Sequence, residues 1–143
     1  MIQAKELRVD NYVWENYGGY YKVVNIKSEQ NLNNIPYVDL KKECGLIGRY
    51  DLKSIYPIKL TKDILIKDLG FNEDYDKGWI GIDVKHEGGT TTDFVIATPF
   101  NMGEWQDFYA FVYDGSRFVR LDYVHELQNL FYDICKQELK VNF

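Results

Sequence analysis

Short runs of alternating apolar and polar residues fill most of the chain, and Gly, Asn, Asp and Pro separate them. "ELRVDNYVWENYGGYYKVVNI" reads as a hairpin. Val9, Tyr12 and Trp14 belong to its first strand and Val23 and Val24 to its second, with "NYGG" as turn chemistry between them. "SEQNLNN" is a polar loop. "IPYVDLKK" is a third strand with Pro36 at its start, where the missing N–H does least harm. "GLIGRYDL" and "KSIYPIKL" supply two more strands. Short strands joined by tight turns predict a small, curled SH3-like β-barrel over residues 1–60.

The period changes at "LTKDILIKDLGF". Thr61 is a good N-cap, Asp63 suits the positive end of a helix dipole, and Gly70 can take the left-handed conformation at the far end. Ile64, Leu65 and Leu69 form the apolar stripe of a two-turn helix, and Phe71 folds back on Ile66. Alternation then returns in "GWIGIDVKH" and "DFVIATPF", joined by "EGGTTTD". "DFYAFVYDGSRFVRLDY" is a strand, an Asp114–Gly115 turn and another strand. Last comes "LDYVHELQNLFYDIC", a helix with Asp122 as N-cap. Residues 61–143 thus read α-β-β-β-β-α. The predicted class is α+β: a small N-terminal SH3-like β-barrel followed by a four-stranded antiparallel sheet flanked by two helices. The pattern is also compatible with both parts packing as one compact unit.

In the last helix Val124, Leu127, Leu130, Phe131 and Ile134 make the apolar side. His125, Gln128, Asn129 and Tyr132 form a polar row on roughly the opposite side. That row is either the wet side of a packed helix or a docking surface for a partner. A catalytic histidine needs an orienting group and a pocket, and the neighbouring Glu126 points elsewhere on the helix.

Composition narrows the classes. Aromatics make up 16% of the 143 residues, with 12 Tyr, 8 Phe and 3 Trp, which favours a sheet-rich core. Most of these rings belong inside. Trp14, Tyr17, Tyr20 and Trp105 lie near loops and are the expected exceptions, as anchors for a protein partner. The net charge of −5 is uneven. Residues 1–60 carry 9 Lys/Arg against 7 Asp/Glu, or +2; residues 61–143 carry 8 against 15, or −7. The acidic part would repel a phosphate backbone. The mildly basic part leaves nucleic-acid contact open, through Lys22, Lys27, Lys41, Lys42, Arg49 and nearby tyrosines. No apolar run approaches the ~20 residues of a membrane span, and the opening "MIQAKELRVD" does not look like a signal peptide. Cys44 and Cys135 are read as buried, reduced residues of a cytoplasmic protein.

Reactive motifs are sparse. Cys44, Cys135, His86 and His125 have no metal-ligand spacing, so no metal or other cofactor is expected. "NEDYDKG", Asn72 to Gly78, lacks the bidentate Glu and flanking helices of a calcium loop and reads as a solvated loop. "HEGGTTTD" joins two strands and has no helix N-terminus to hold a phosphate. Ser28, Ser54 and Ser116 have no nucleophile-elbow context. No catalytic residue is assigned.

Three blocks carry a resemblance: "LRVDNYV…YYKVVNI", "SIYPIKLTKDILIKDLGF" and "LDYVHELQNLFYDICKQEL". Together they are similar to a family of small uncharacterised proteins from bacterial genomes and their phages. Its members open on an "LRIGNYV"-like strand and close on a "YVHQLQNL"-like helix. Tyr123, Val124, His125, Leu127, Gln128, Asn129, Leu130 and Phe131 carry the last match. Asp10 stands where that family often has Gly, and "EGGTTTDFVIATPFNMGEWQ" reads as an insert. The resemblance implies an architecture and a mobile-element setting, and no reaction.

The expected function is therefore a non-enzymatic protein-interaction module, an accessory protein of a phage or mobile element. Its partner surface would draw on His125, Gln128, Asn129, Tyr132, Trp14, Tyr17, Tyr20 and Trp105. The alternatives are nucleic-acid contact by the N-terminal part and an enzyme with a site at the junction of the two parts.

Overall fold

A computed structural model describes residues 2–27, 36–76, 79–98, 109–112 and 118–143. The chain divides into two compact units. Residues 1–59 and 123–129 form the first, and residues 60–122 and 130–143 form the second.

The first unit is built on an antiparallel sheet of β1 (Tyr12–Glu15), β2 (Tyr20–Lys27), β3 (Tyr37–Lys41), β4 (Ile47–Asp51) and β5 (Ile55–Tyr56). The strand order is β4-β3-β2-β1-β5. Strand alternation sends Val13, Val23, Val38, Leu40 and Ile55 inward, all fully buried. Ile2, Leu7, Tyr21 and Leu52 complete that core. The β1–β2 turn places Gly18 at φ +90, a conformation that a Cβ would disfavour. A register shift between Val23 and Asn25 bends β2 and changes which side chains face out beyond it.

The second unit holds β6 (Asn72–Asp76), β7 (Trp79–Lys85), β8 (Thr91–Ala97), β9 (Tyr109–Val112) and β10 (Phe118–Leu121). These form an antiparallel sheet in the order β10-β9-β8-β7-β6. Phe94 on β8 is fully buried, with ring centroids 4.3 Å from Phe111, 5.1 Å from Phe131 and 6.2 Å from Phe71. Aromatic pairs at these separations add to the area each ring buries. The 12-residue helix α1 (Val124–Cys135) contributes Phe131 to this core.

Three expectations from the sequence are corrected. The predicted α+β class gives way to a mostly β chain: two five-stranded sheets, and α1 as the one regular α-helix among the described residues. The first sheet is not a closed SH3-like barrel, because its order ends at β4 on one side and β5 on the other. The second sheet has five strands and not four, since "NEDYD" pairs with β7 as an edge strand. An edge tolerates charges that a central strand cannot, so its lack of alternation misleads.

The predicted first helix is a short turn with π-type bonding at Ile64–Asp68, not one of two flanking helices. Two of its signals act as read. Thr61 Oγ accepts from Ile64 N–H at 3.2 Å, and Gly70 takes φ +71. The last turn is wound loosely, however: Leu69 N–H reaches back five residues to the Ile64 carbonyl. The cap of α1 also differs. Asp122 binds Arg120, and the Glu126 carboxylate accepts from Tyr123 N–H at 3.1 Å.

Candidate functional site

The polar residues of α1 do something other than face water. β5 pairs only with Trp14 and Glu15, so it stops short of Tyr12. The Tyr12 N–H and Asp10 carbonyl beyond it need partners from elsewhere. Gln128 supplies them: its Oε1 accepts from Tyr12 N–H at 2.9 Å, and its Nε2 donates to the Asp10 carbonyl at 3.2 Å. A side-chain amide thus stands in for the missing length of strand. Asn129 extends the clasp. It accepts from Asn11 Nδ2 at 2.9 Å and donates to the Glu6 carbonyl at 3.0 Å. Asn11 is itself buried, and its Oδ1 accepts from Arg8 N–H at 2.7 Å.

The expected solvent position of His125 and Gln128 is therefore corrected: they are 2% and 1% exposed. In the first half of α1 the buried arc is wide enough to include them beside Val124 and Leu127. Asn129 is half-buried and Tyr132 is exposed. The His125 ring lies nearly parallel to that of Tyr123, with centroids 5.8 Å apart, and its Nδ1 has no hydrogen-bond partner. Burial pushes its pKa below the ordinary histidine value, against the weaker pull of Glu126 and Glu6. Among the described residues no hydrogen bond to Nδ1 orients the ring.

The other predicted residues fall on the outward side of the first sheet. Register places Trp14 directly between Tyr20 on β2 and Tyr56 on β5. Cross-strand partners point to the same side, so the three rings form one row across the sheet. They are 38%, 40% and 41% exposed. Trp14 and Tyr20 meet edge to face, with centroids 5.1 Å apart and planes at 73°. Tyr17 projects from the adjoining turn and is 93% exposed. Buried Glu15 holds that turn, its Oε2 accepting from Tyr17 N–H at 2.9 Å. Tyr56 escaped the sequence reading. Its signal lies in register with Trp14, which a single strand does not reveal.

Cations stand beside the row. Lys22 lies two residues along β2 from Tyr20, on the same face, and pairs in register with Lys41 on β3. Lys22 Nζ is 2.6 Å from Asp10. Arg49 bonds Asp39 at 2.9 Å, and its guanidinium lies 4.0 Å from the centre of the Tyr37 ring. The Arg49 and Asn25 hydrogen bonds hold the Asp39 carboxyl below the usual carboxylate range. Lys27 shares this face through its pairing with Tyr37. Lys42 does not join it, since its ammonium sits over the Tyr21 ring of the opposite, core-facing side. Cys44 is exposed, contrary to expectation, and Cys135 is buried.

Trp105 lies outside the described residues, as do the "SEQNLNN" loop and the Asp114–Gly115 turn. Among the described residues no group of three or more His, Cys, Asp or Glu is placed to hold a metal ion, and no helix is long and apolar enough to cross a membrane. No family model, curated protein or solved structure matches the chain.

Proposed function

We propose that the protein is a non-enzymatic interaction module that recognises a protein partner through the outward face of its first sheet. The Tyr20–Trp14–Tyr56 row carries this reading. Three large rings in one line, each more than a third exposed, form a patch of the kind that anchors interfaces. Tyr17 extends the patch at the turn. Gln128 fixes the open edge of β1 through Tyr12 and Asp10, and the expected polar docking row on α1 has no part in this reading.

The setting we propose is the cytoplasm of a bacterium carrying a phage or mobile element, with the chain as an accessory protein. The likeness to the phage-associated family supports this, as does the exposed free thiol of Cys44, which suits a reducing compartment. Asp10 supports the likeness itself. It takes φ +75, a conformation open to the Gly that the family often has there.

The test is quantitative capture on the immobilised chain from a lysate of the native host. Specific capture should fall at least about tenfold with Trp14→Ala, as for the loss of a hot-spot ring. Equal capture by wild type and variant would overturn the reading. A second reading, contact with single-stranded nucleic acid, has the opposed Lys22 and Lys41 in its favour. It requires affinity that falls steeply with salt.

A further inference from the structure

We infer that the segment recognised by this face is acidic: a protein segment with an apolar anchor flanked by Asp or Glu. The inference rests on the reading of the face given above. Lys22 and Lys41 are direct cross-strand partners, and both point outward because their neighbours Val23 and Leu40 are fully buried on the inner side. Like charges directly opposite each other on a sheet are unfavourable. Asp10 offsets part of that repulsion through Lys22. Lys41 has no carboxylate partner among the described residues. A carboxylate arriving over this pair would relieve the repulsion, and the adjoining row of rings would take the apolar anchor. An aromatic centre with a charged rim is the usual anatomy of a selective interface.

The same observations weigh against nucleic acid on this face. Trp14 and Tyr20 pack at 73°, so they do not present parallel faces to consecutive bases. Lys22 and Arg49 are already held by Asp10 and Asp39, which leaves few cations for phosphates. Those two carboxylates would repel a backbone charged at every residue. A peptide carries acids only where they fit.

The experiment is selection of a random-peptide display library on the full chain, then titration of a synthetic enriched peptide by fluorescence anisotropy. Enriched peptides should carry an aromatic or aliphatic residue flanked by Asp or Glu. Binding should weaken at least about tenfold with Trp14→Ala and by a similar factor with Lys41→Glu. The second substitution reverses a charge facing Lys22, so the variant should melt no lower than wild type. Peptides that need Trp14 but show no acidic bias and ignore Lys41→Glu would overturn the inference and leave the face standing. Peptides indifferent to Trp14→Ala, or no enrichment at all, would overturn the face and the inference together. Binding of oligo(dT) that depends on Trp14 and collapses with salt would replace the protein partner with a nucleic acid.

Discussion

Replacing Gln128 with methionine keeps the length and volume of the side chain and removes its amide. Two backbone groups then lose their partners: the Tyr12 N–H at 2.9 Å and the Asp10 carbonyl at 3.2 Å. The site is 1% exposed, so water cannot replace the amide without opening the packing. A buried polar group left unsatisfied costs about 1–3 kcal/mol. Two of them come to about 2–6 kcal/mol, offset by about 1 kcal/mol from burying a more apolar chain. The expected loss is therefore about 1–5 kcal/mol, against a total stability of about 5–15 kcal/mol for a domain. Urea unfolding followed by tryptophan fluorescence and by circular dichroism measures it. The midpoint should drop with the slope unchanged. A loss below about 0.5 kcal/mol would refute the idea that this amide replaces a strand, because surface substitutions fall in that range.

Asp10 holds φ +75, and Asp10→Gly and Asp10→Ala both delete its ion pair with Lys22. Only the conformational cost separates the two, so the Ala variant should be less stable by about 1–2 kcal/mol in denaturant titration; equal stabilities would remove the left-handed turn from the account. His125 has its folded-state pKa lowered by burial, so the unfolded chain binds its proton first as pH falls. Stability should hold above about pH 6.5 and decline below it, and His125→Gln should flatten that decline. An unchanged profile would mean that the ring is not buried neutral. A Cβ at Gly81 would lie 2.6 Å from the inner atoms of the Tyr75 ring and 3.2 Å from the Phe94 carbonyl. Gly81→Ala should therefore cost about 1–3 kcal/mol in thermal unfolding, the range for overpacking, and a neutral result would mean that β6 yields freely.

Local chemistry was legible wherever one element decides it. The "NYGG" turn, the strand beginning after Pro36, the Thr61 cap and the left-handed Gly70 all stand as their residues suggest. What failed depended on partners distant in sequence. Whether five strands close into a barrel depends on their edges meeting, and no pattern within β4 or β5 encodes that. "NEDYD" looks like a loop because an edge strand needs no alternation. The polar row of α1 was misplaced because its partners, Asp10, Tyr12 and Asn11, lie more than a hundred residues away in sequence. One clue was available. Gln128 sits one turn beyond Val124 and beside Leu127, inside the apolar stripe and not opposite it. A buried amide in such a place implies unpaired backbone opposite. The exposure of Trp14, Tyr17 and Tyr20 is legible because aromatics beside a turn have little core to enter.

The central claim is that recognition and stability reside in different residues of the same unit: rings outside, amides inside. It is tested most directly by measuring melting temperature and affinity for one enriched peptide in two variants, Trp14→Ala and Gln128→Met. The account predicts that Trp14→Ala melts close to wild type and binds at least about tenfold more weakly, while Gln128→Met melts earlier and binds normally well below its transition. Binding lost with Gln128→Met in its folded state, and kept with Trp14→Ala, would place the partner on the helix and contradict it.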